Sequence, residues 1–133
     1  MKDYRFRDVL QRTGASRSQL IHWTNVGLTA ASLTESPGTG HHRRFSFRDL
    51  VKVRIAVLLA SYALPVRTLA FILGLVDRAL GRDQILWIPG DPSAPQSIWA
   101  GSHREFAEQL RGRFSSLGHV GLAIDMQAAV SQL

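Results

Sequence analysis

The stretch TGASRSQLIHWTNVGL, residues 13–28, decides the fold. It predicts a helix that begins after Ser16, because serine is a strong N-cap residue, and that ends before Gly27, because glycine favours the conformation that closes a helix. Leu20 and Trp23 stand three residues apart inside it and form an inward apolar stripe. We therefore place a helix at about residues 16–26.

A shorter helix precedes this one. The segment 6–13 carries apolar residues at helical spacing, namely Phe6, Val9 and Leu10. Thr13-Gly14-Ala15 then forms a tight connection to the next helix. Two short helices joined by a turn of three or four residues that contains glycine are typical of a helix-turn-helix.

The periodicity fails after this pair, from Thr29 to Arg44. The centre of the segment, Ser36-Pro37-Gly38-Thr39-Gly40, is dense in turn-forming residues, and it is flanked by Ala31-Ser32-Leu33 and Arg43-Arg44-Phe45. This pattern predicts a β-hairpin at about residues 30–45. A hairpin directly after a helix-turn-helix is a wing.

Two further helices follow the predicted wing. Ser46 is placed to cap the third, with Asp49 as its capping carboxylate. Its predicted inward stripe is Leu50, Val53 and Val57. Pro65 suits the first turn of the fourth helix. The predicted inward stripe of that helix is Val66, Leu69, Ala70, Leu73, Val76 and Leu80.

The tail has a different texture. Residues 85–88 and 97–100 predict two strands separated by a loop, and alternating apolar residues at 120–124 predict a third strand. Between them, Ser102 and Glu105 form a capping box ahead of a helix with Phe106, Leu110 and Phe114 on one side. Asp125 is placed to cap a short final helix.

The predicted fold class is therefore α+β, mainly α. Residues 1–82 form a winged helix-turn-helix of four helices and a β-hairpin wing, and residues 83–133 form a small α/β unit for dimerisation or effector sensing. A length of 133 residues suits one compact domain or two very small ones.

The net charge of +6 is concentrated at the N-terminal end. Residues 1–54 hold ten Lys and Arg against four Asp and Glu, whereas residues 55–133 hold six of each. Excess positive charge in one part of a chain is the usual footprint of a phosphate-binding surface. A solvated basic face without a ligand is the alternative.

Composition excludes several classes of protein. Hydrophobic residues make up 45% of the chain, which excludes a disordered tail protein. The chain has no cysteine, which excludes disulfides, zinc ribbons and thiolate metal sensors. The longest charge-free apolar stretch, residues 55–66, is shorter than the ~18–20 residues of a membrane span. With no signal-peptide pattern at residues 1–8, we expect a cytoplasmic protein.

The ordered set of these features resembles the DNA-binding domain of MerR-type transcription regulators. The shared features are Thr-Gly before the second helix, Leu20 and Trp23 inside it, Gly27-Leu28 after it, Arg44-Phe45-Ser46 at the end of the wing and Asp49-Leu50 at the start of the third helix. The resemblance covers roughly residues 4–73. It implies a winged helix-turn-helix that binds double-stranded DNA and regulates transcription, with RNA polymerase as a further partner.

Two departures shape what the resemblance implies. Many members carry Leu-Arg-Tyr-Tyr where this chain has Leu20, Ile21, His22 and Trp23, so the arginine of that motif has no counterpart. The tryptophan variant resembles the small branch that does not sense metals. Members usually dimerise through a long C-terminal helix, whereas the tail here resembles a small α/β unit, so that mode of pairing is not carried over. Pairing of a homodimer through an exposed sheet edge is one hypothesis, and the mode of dimerisation stays open. The effector is left open.

The expected DNA-binding residues lie on the second helix and the wing. Arg17 is the best base reader, because a guanidinium can grip O6 and N7 of guanine with two hydrogen bonds. Ser16 and Ser18 suit phosphates near the helix N-terminus, and His22 can reach a phosphate or be a surface histidine without a task. On the wing, His42, Arg43 and Arg44 are expected to contact the minor groove or its phosphates.

Other functions are less well supported by the residues. The pair His41-His42 has only Glu35 as a nearby carboxylate, so no metal site or cofactor is expected. The sequence shows no acid, base and nucleophile paired at helical spacing and no phosphate-binding glycine loop. An enzyme is therefore not indicated. We expect Trp23, Phe45 and Phe47 to pack in the core rather than stack on bases. An excisionase-like protein that bends DNA and a protein-interaction module on the same fold remain alternatives.

Overall fold

A computed structural model describes residues 3–33, 43–79, 84–89, 98–111, 121–131 and 133. The chain groups into two compact units, Met1–Ala63 with Gln132–Leu133, and Leu64–Ser131. The predicted class, α+β and mainly helical, is confirmed. Within the described residues, no helix is long and apolar enough to cross a membrane.

The described residues of the first unit form three α-helices and a two-stranded sheet. Its elements are β1 (Tyr4–Arg5), α1 (Phe6–Thr13), α2 (Arg17–Asn25), β2 (Arg44–Phe45), α3 (Phe47–Leu59) and a 3₁₀ turn (Ala60–Tyr62). Helix α1 packs against α3, and β1 pairs antiparallel with β2. Buried residues from every helix form the core, among them Val9, Leu20, Leu50 and Ile55.

The predicted N-caps of α2 and α3 are confirmed. The Ser16 Oγ accepts the backbone N–H of Gln19 at 3.1 Å, and the Ser46 Oγ accepts that of Asp49 at 3.1 Å. In both boxes the later side chain accepts the backbone N–H of the serine in return. Each helix therefore begins where two otherwise unpaired backbone donors find an acceptor.

Glycine closes α1 and α2 as predicted. Gly14 and Gly27 have φ angles of 80° and 79°, a left-handed conformation that strains residues with a Cβ. At the end of α2, Leu28 N–H donates to the Trp23 carbonyl at 2.9 Å and Gly27 N–H to that of Thr24 at 3.2 Å. These two bonds form a Schellman motif and satisfy carbonyls that the helix leaves without donors.

The predicted wing hairpin is wrong in its strand partner. Ser32 and Leu33 form a turn rather than a strand, and β2 pairs instead with β1, a strand that no local pattern in the sequence predicts. A two-residue strand has no periodicity to detect. Leu33 N–H does donate to the Arg44 carbonyl at 3.0 Å, which joins the two ends of the segment. Its centre, residues 34–42, lies outside the described residues.

The described part of the second unit, residues 64–79, 84–89, 98–111 and 121–131, contains a three-stranded sheet and three helices. Its elements are α4 (Val66–Ala79), β3 (Gln84–Pro89), β4 (Trp99–Ser102), α5 (His103–Arg111), β5 (Gly121–Asp125) and α6 (Met126–Ser131). The strand order is β4-β3-β5 with both pairs antiparallel, and Trp87 pairs with Trp99. The three strands predicted in the tail are confirmed.

Polar side chains cap the N-termini of α5 and α6, the last two helices that the structure describes. Ser102 N–H donates to Glu105 Oε1 at 3.1 Å, and Asp125 Oδ1 accepts the N–H of Ala128 at 3.1 Å, as predicted. Hydrogen bonds from the Ser102 backbone and then its side chain hold the pKa of Glu105 below its ordinary value. Phe106 packs against Trp87 and Trp99, whereas Leu110, one helical turn later, is exposed. Phe114 lies outside the described residues.

The predicted inward stripe of α4 is also partly wrong. Val66 is 47% exposed and Ala70 is exposed, whereas Thr68, Ile72, Leu73 and Val76 are buried. Apolar residues surround most of this helix, so their spacing does not single out one face. Leu80 lies outside the described residues. In α3, Val57 is only half-buried, while Leu50 and Val53 are buried as predicted.

Helix α4 belongs to the second compact unit, Leu64–Ser131, whereas the predicted first domain, residues 1–82, includes it. The predicted boundary between residues 82 and 83 lies outside the described residues. The division at that point therefore stays a prediction.

Candidate functional site

Helix α2 turns an apolar side inward and a polar side outward. Leu20 and Trp23 are 0% and 7% exposed, and burying a side chain of this kind contributes ~1.5–3 kcal/mol. On the opposite side Ser18, His22 and Asn25 are exposed. The spacing of four and three residues puts these three polar side chains on one face of the helix. That face is available to a partner.

Ser16 is exposed but engaged in its own helix. Its Oγ accepts the N–H of Gln19, and its backbone N–H donates to Gln19 Oε1 at 3.0 Å. The hydroxyl hydrogen remains as the donor that Ser16 can offer to an anion. Ser16 is therefore first a helix cap, and any phosphate contact comes in addition to that role.

Arg17, the first residue of α2, is exposed and lies over an aromatic ring. Its guanidinium carbon is 5.6 Å from the centroid of the Phe6 ring, where α1 begins. This distance is within the range of a cation–π contact. The predicted base reader is thus held against the start of the preceding helix.

The described part of the predicted wing carries two arginines. Arg43 and Arg44 are both half-buried, and His42 lies outside the described residues. Arg44 Nη1 forms an ion pair with Asp3 Oδ2 at 2.7 Å, in which both side chains are about 40% exposed. An exposed pair of this kind adds only ~0–1 kcal/mol to stability. A phosphate can therefore compete with Asp3 for Arg44.

The pairing of β1 with β2 brings a further basic residue, Arg5, next to Arg44. Arg5 on β1 is the direct cross-strand neighbour of Arg44 on β2, and Arg5 is exposed. Directly opposed like charges repel, and Asp3 offsets part of that repulsion. Arg5 is not among the predicted site residues, because nothing in its local sequence pattern predicts pairing with residue 44.

Every acidic side chain that the structure describes in the first unit is engaged locally. Asp3 binds Arg44, and Asp8 Oδ2 accepts the N–H of Arg5 at 2.9 Å. Asp49, which is 6% exposed, is the third of these carboxylates and accepts hydrogen bonds from Ser46 and Ser32. Exposed arginines of the unit are Arg5, Arg7, Arg12, Arg17 and Arg48. Much of the positive charge of the described first unit is therefore presented to solvent, while its described carboxylates are hydrogen-bonded or ion-paired.

The Asp49 carboxylate holds the segment after α2 against the start of α3. One oxygen, Oδ2, accepts the N–H of Ser46 at 2.8 Å, the N–H of Ser32 at 3.0 Å and the hydroxyl of Ser32 at 2.6 Å. Hydrogen bonds to an ionised acceptor are roughly twice as strong as neutral ones. Asp49 thus fixes one end of the predicted wing relative to α3.

One basic residue has a structural task. Arg54 on α3 donates from Nη1 to the carbonyl of Thr13 at 2.9 Å, at the C-terminus of α1. A cation at this place satisfies a terminal carbonyl and complements the helix dipole. Arg54 therefore ties α3 to α1.

The aromatic predictions hold for two residues of three. Trp23 and Phe45 are buried, as expected for core residues. Phe47 is 38% exposed, so its assignment to the core is wrong. Phe47 is the first residue of α3, where a side chain has no preceding helical turn to pack against.

The structure thus brings some predicted site residues together and separates others. Ser18 and His22 share the outward face of α2. Asn25, which is not among the predicted site residues, lies on the same face, and its helical spacing from residues 18 and 22 is the signal that could have identified it. Arg17 lies at the helix start with Phe6, and Arg44 lies at the strand pair with Arg5 and Asp3. Among the described residues, no group of three His, Asp or Glu is placed to hold a metal ion.

No protein-family model matches the chain, and no curated protein gives a significant match.

Proposed function

We propose that this protein is a sequence-specific double-stranded DNA-binding transcription regulator with a winged helix-turn-helix. Helix α2 lies in the major groove, and residues from about 30 to 45 contact the flanking backbone or minor groove. One observation carries the proposal: α2 directs a polar face outward in a unit whose described carboxylates are hydrogen-bonded or ion-paired, while five of its described arginines are exposed. The resemblance to MerR-type regulators supports it.

The outward side of α2 matches what a major groove offers. The N-terminal residues of a recognition helix contact base edges. Arg17 stands at that end, and its guanidinium can bind guanine O6 and N7 together. Ser18 and His22 follow as donors to phosphate or base edges. Asn25 completes the face, and an asparagine side chain pairs well with adenine N6 and N7.

The strand pair supplies affinity in this proposal. Arg43, Arg44 and Arg5 lie on or beside β1 and β2, and each can neutralise a phosphate. Such contacts position the protein on the duplex without reading its sequence. Binding is therefore expected to weaken steeply with salt, because each phosphate contact contributes about −0.9 to the slope of log K against log[salt].

The proposal includes a homodimer that binds a two-fold symmetric site. Among the described strands of the second unit, β4 and β5 each have one neighbour and so each presents one edge. Strand pairing between copies at such an edge gives a closed two-fold dimer. RNA polymerase as a partner, and cytoplasmic residence, are further parts of the proposal, and they rest on the resemblance.

Fluorescence anisotropy of a labelled duplex at several salt concentrations tests the phosphate contacts. Arg43→Ala is the cleaner variant, because Arg44→Ala also releases the carboxylate of Asp3. We expect Arg43→Ala to weaken binding similarly on all sequences and to flatten the salt slope by about 0.9. The matched control is Arg104→Ala in α5, an equal charge change at a highly exposed residue of the second unit; the carboxylate that it releases, Glu108, lies on the same helix.

If the wild type and Arg43→Ala have the same slope of log K against log[salt], Arg43 does not contact a phosphate. Equal losses for Arg43→Ala and Arg104→Ala would show a general charge effect rather than a contact. Binding of the wild type that does not depend on salt would contradict the proposed function itself.

A further inference from the structure

We infer that Phe6 is a positioning residue for the base reader: its ring holds the Arg17 guanidinium in the orientation that the major groove requires. The inference rests on the proposed function. Phe6 opens α1 and Arg17 opens α2, so the contact joins the starts of the two helices of the helix-turn-helix.

The contact leaves the arginine both ordered and available. Its guanidinium carbon lies 5.6 Å from the Phe6 ring centroid, and Arg17 is exposed. Within the described residues, the side chain of Arg17 makes no hydrogen bond or ion pair. A ring face attracts the cation without occupying its N–H donors. All five donors therefore remain for a base, while the long side chain loses part of its rotational freedom before it binds.

A second arginine of the same unit shows the contrast. Arg12 lies 5.3 Å from the Tyr4 ring centroid, but its Nη1 also donates to the Leu133 carbonyl at 2.6 Å. The Arg12 guanidinium is therefore fixed by a backbone carbonyl, and one of its N–H donors is used in that bond. Arg17 is held by the ring alone, which is the arrangement suited to a side chain that must still bind a ligand.

Preorganisation of this kind raises affinity because less rotamer entropy is lost on binding. It affects one base most, the base that Arg17 reads, and leaves phosphate contacts unchanged. The expected effect of losing the ring is therefore a loss of base preference without a change in salt slope. Its size is about two- to five-fold, as for an exposed cation–π pair.

The first experiment measures Arg17 in the protein without DNA. Relaxation of the Arg17 Nε–Hε group by nuclear magnetic resonance reports how restricted the side chain is, with exposed Arg7 on α1 as the internal reference. We expect Arg17 to be more restricted than Arg7 in the wild type and in Phe6→Tyr, and to become as mobile as Arg7 in Phe6→Leu. Arg17 and Arg7 equally mobile in the wild type would overturn the inference, whatever the protein binds.

The second experiment measures base preference. The preferred duplex, obtained by selection from random sequences, is compared with duplexes changed at the base that Arg17→Ala no longer distinguishes. We expect Phe6→Leu to reduce that preference about two- to five-fold, Phe6→Tyr to retain it, and Phe6→Leu to have no further effect in an Arg17→Ala background. The salt slope stays as in the wild type for both Phe6 variants.

The outcomes separate the inference from the proposed function. Phe6→Tyr losing preference as Phe6→Leu does, or Phe6→Leu acting fully in the Arg17→Ala background, would overturn the role of the ring. No duplex binding by the wild type would overturn the proposed function, and the mobility of Arg17 would still decide whether Phe6 holds it. Thermal melting monitors folding, and Phe6→Tyr keeps the test valid if Phe6→Leu unfolds the first unit.

Discussion

Replacing Asp49 tests how the segment after α2 is held. In Asp49→Ala three hydrogen bonds are lost at once, those from the N–H of Ser46 and from the N–H and hydroxyl of Ser32. A hydrogen bond to a charged group contributes ~1.5–3 kcal/mol, which sets an upper bound near ~4.5–9 kcal/mol for three. Bonds to one oxygen are not additive, and Ser32 is exposed, so water replaces part of the loss. We therefore expect a loss of about 2–4 kcal/mol in the free energy of unfolding.

Two variants divide this loss. Asp49→Asn retains an acceptor oxygen without its charge, so about half of the loss is expected because neutral hydrogen bonds are roughly half as strong. Ser32→Ala removes the hydroxyl donor but keeps the backbone N–H, and about 0.5–1.5 kcal/mol is expected. The order of destabilisation should be Asp49→Ala, then Asp49→Asn, then Ser32→Ala.

Native-state hydrogen exchange is the appropriate assay because the chain forms two compact units and need not unfold in a single step. The amides of Val53 and Ile55 in α3 report the first unit, and that of Leu86 in β3 reports the second. Asp49→Ala within about 0.5 kcal/mol of the wild type at the α3 amides would refute the account of this network. Equal losses for Ser32→Ala and Asp49→Ala would show that the backbone donors contribute nothing.

Three shorter predictions follow. Gly27→Ala should destabilise by ~1–2 kcal/mol because of its left-handed φ, whereas Gly74→Ala, with equally open space but inside a helix, should stabilise slightly; thermal melting compares them. Asp3→Asn should tighten duplex binding and steepen the salt slope by up to about 0.9, because it removes the carboxylate that forms the ion pair with Arg44; an unchanged slope would mean that Arg44 contacts no phosphate. The lowered pKa of Glu105 implies stabilisation that is present above the unfolded pKa, near 4.5, and is lost as the pH falls through the folded value. Urea unfolding should therefore show a smaller acid loss for Glu105→Gln, and equal losses would contradict the cap.

Local signals predicted the helix and strand boundaries well. Serine caps at residues 16, 46 and 102, the glycine at 27 and the alternation in the tail act over three to six residues, so the sequence contains all that is needed to read them. The buried pair Leu20 and Trp23 was also predictable, because its spacing matches a helix with one apolar side.

Features that depend on distant residues were not predictable in this way. Strand β1 has two residues and exists through its pairing with β2, some 40 positions away. The buried side of α4 is set by the sheet that it packs against, because the apolar residues of the helix surround it. The contacts of Arg17 with Phe6 and of Arg44 with Asp3 likewise join residues that no short pattern connects. Charge counting indicated a basic N-terminal region, but not which arginines remain exposed.

Selection of bound sequences from random duplex DNA, carried out in parallel with the wild type and Arg17→Ala, tests the central claim most directly. The account predicts an enriched motif for the wild type, with two-fold symmetry if a homodimer binds. At one guanine, Arg17→Ala should lose ~1–3 kcal/mol of discrimination while retaining the rest of the motif. A wild-type pool that shows no enrichment, or an Arg17→Ala motif identical to that of the wild type, would contradict the claim that α2 reads DNA sequence through Arg17.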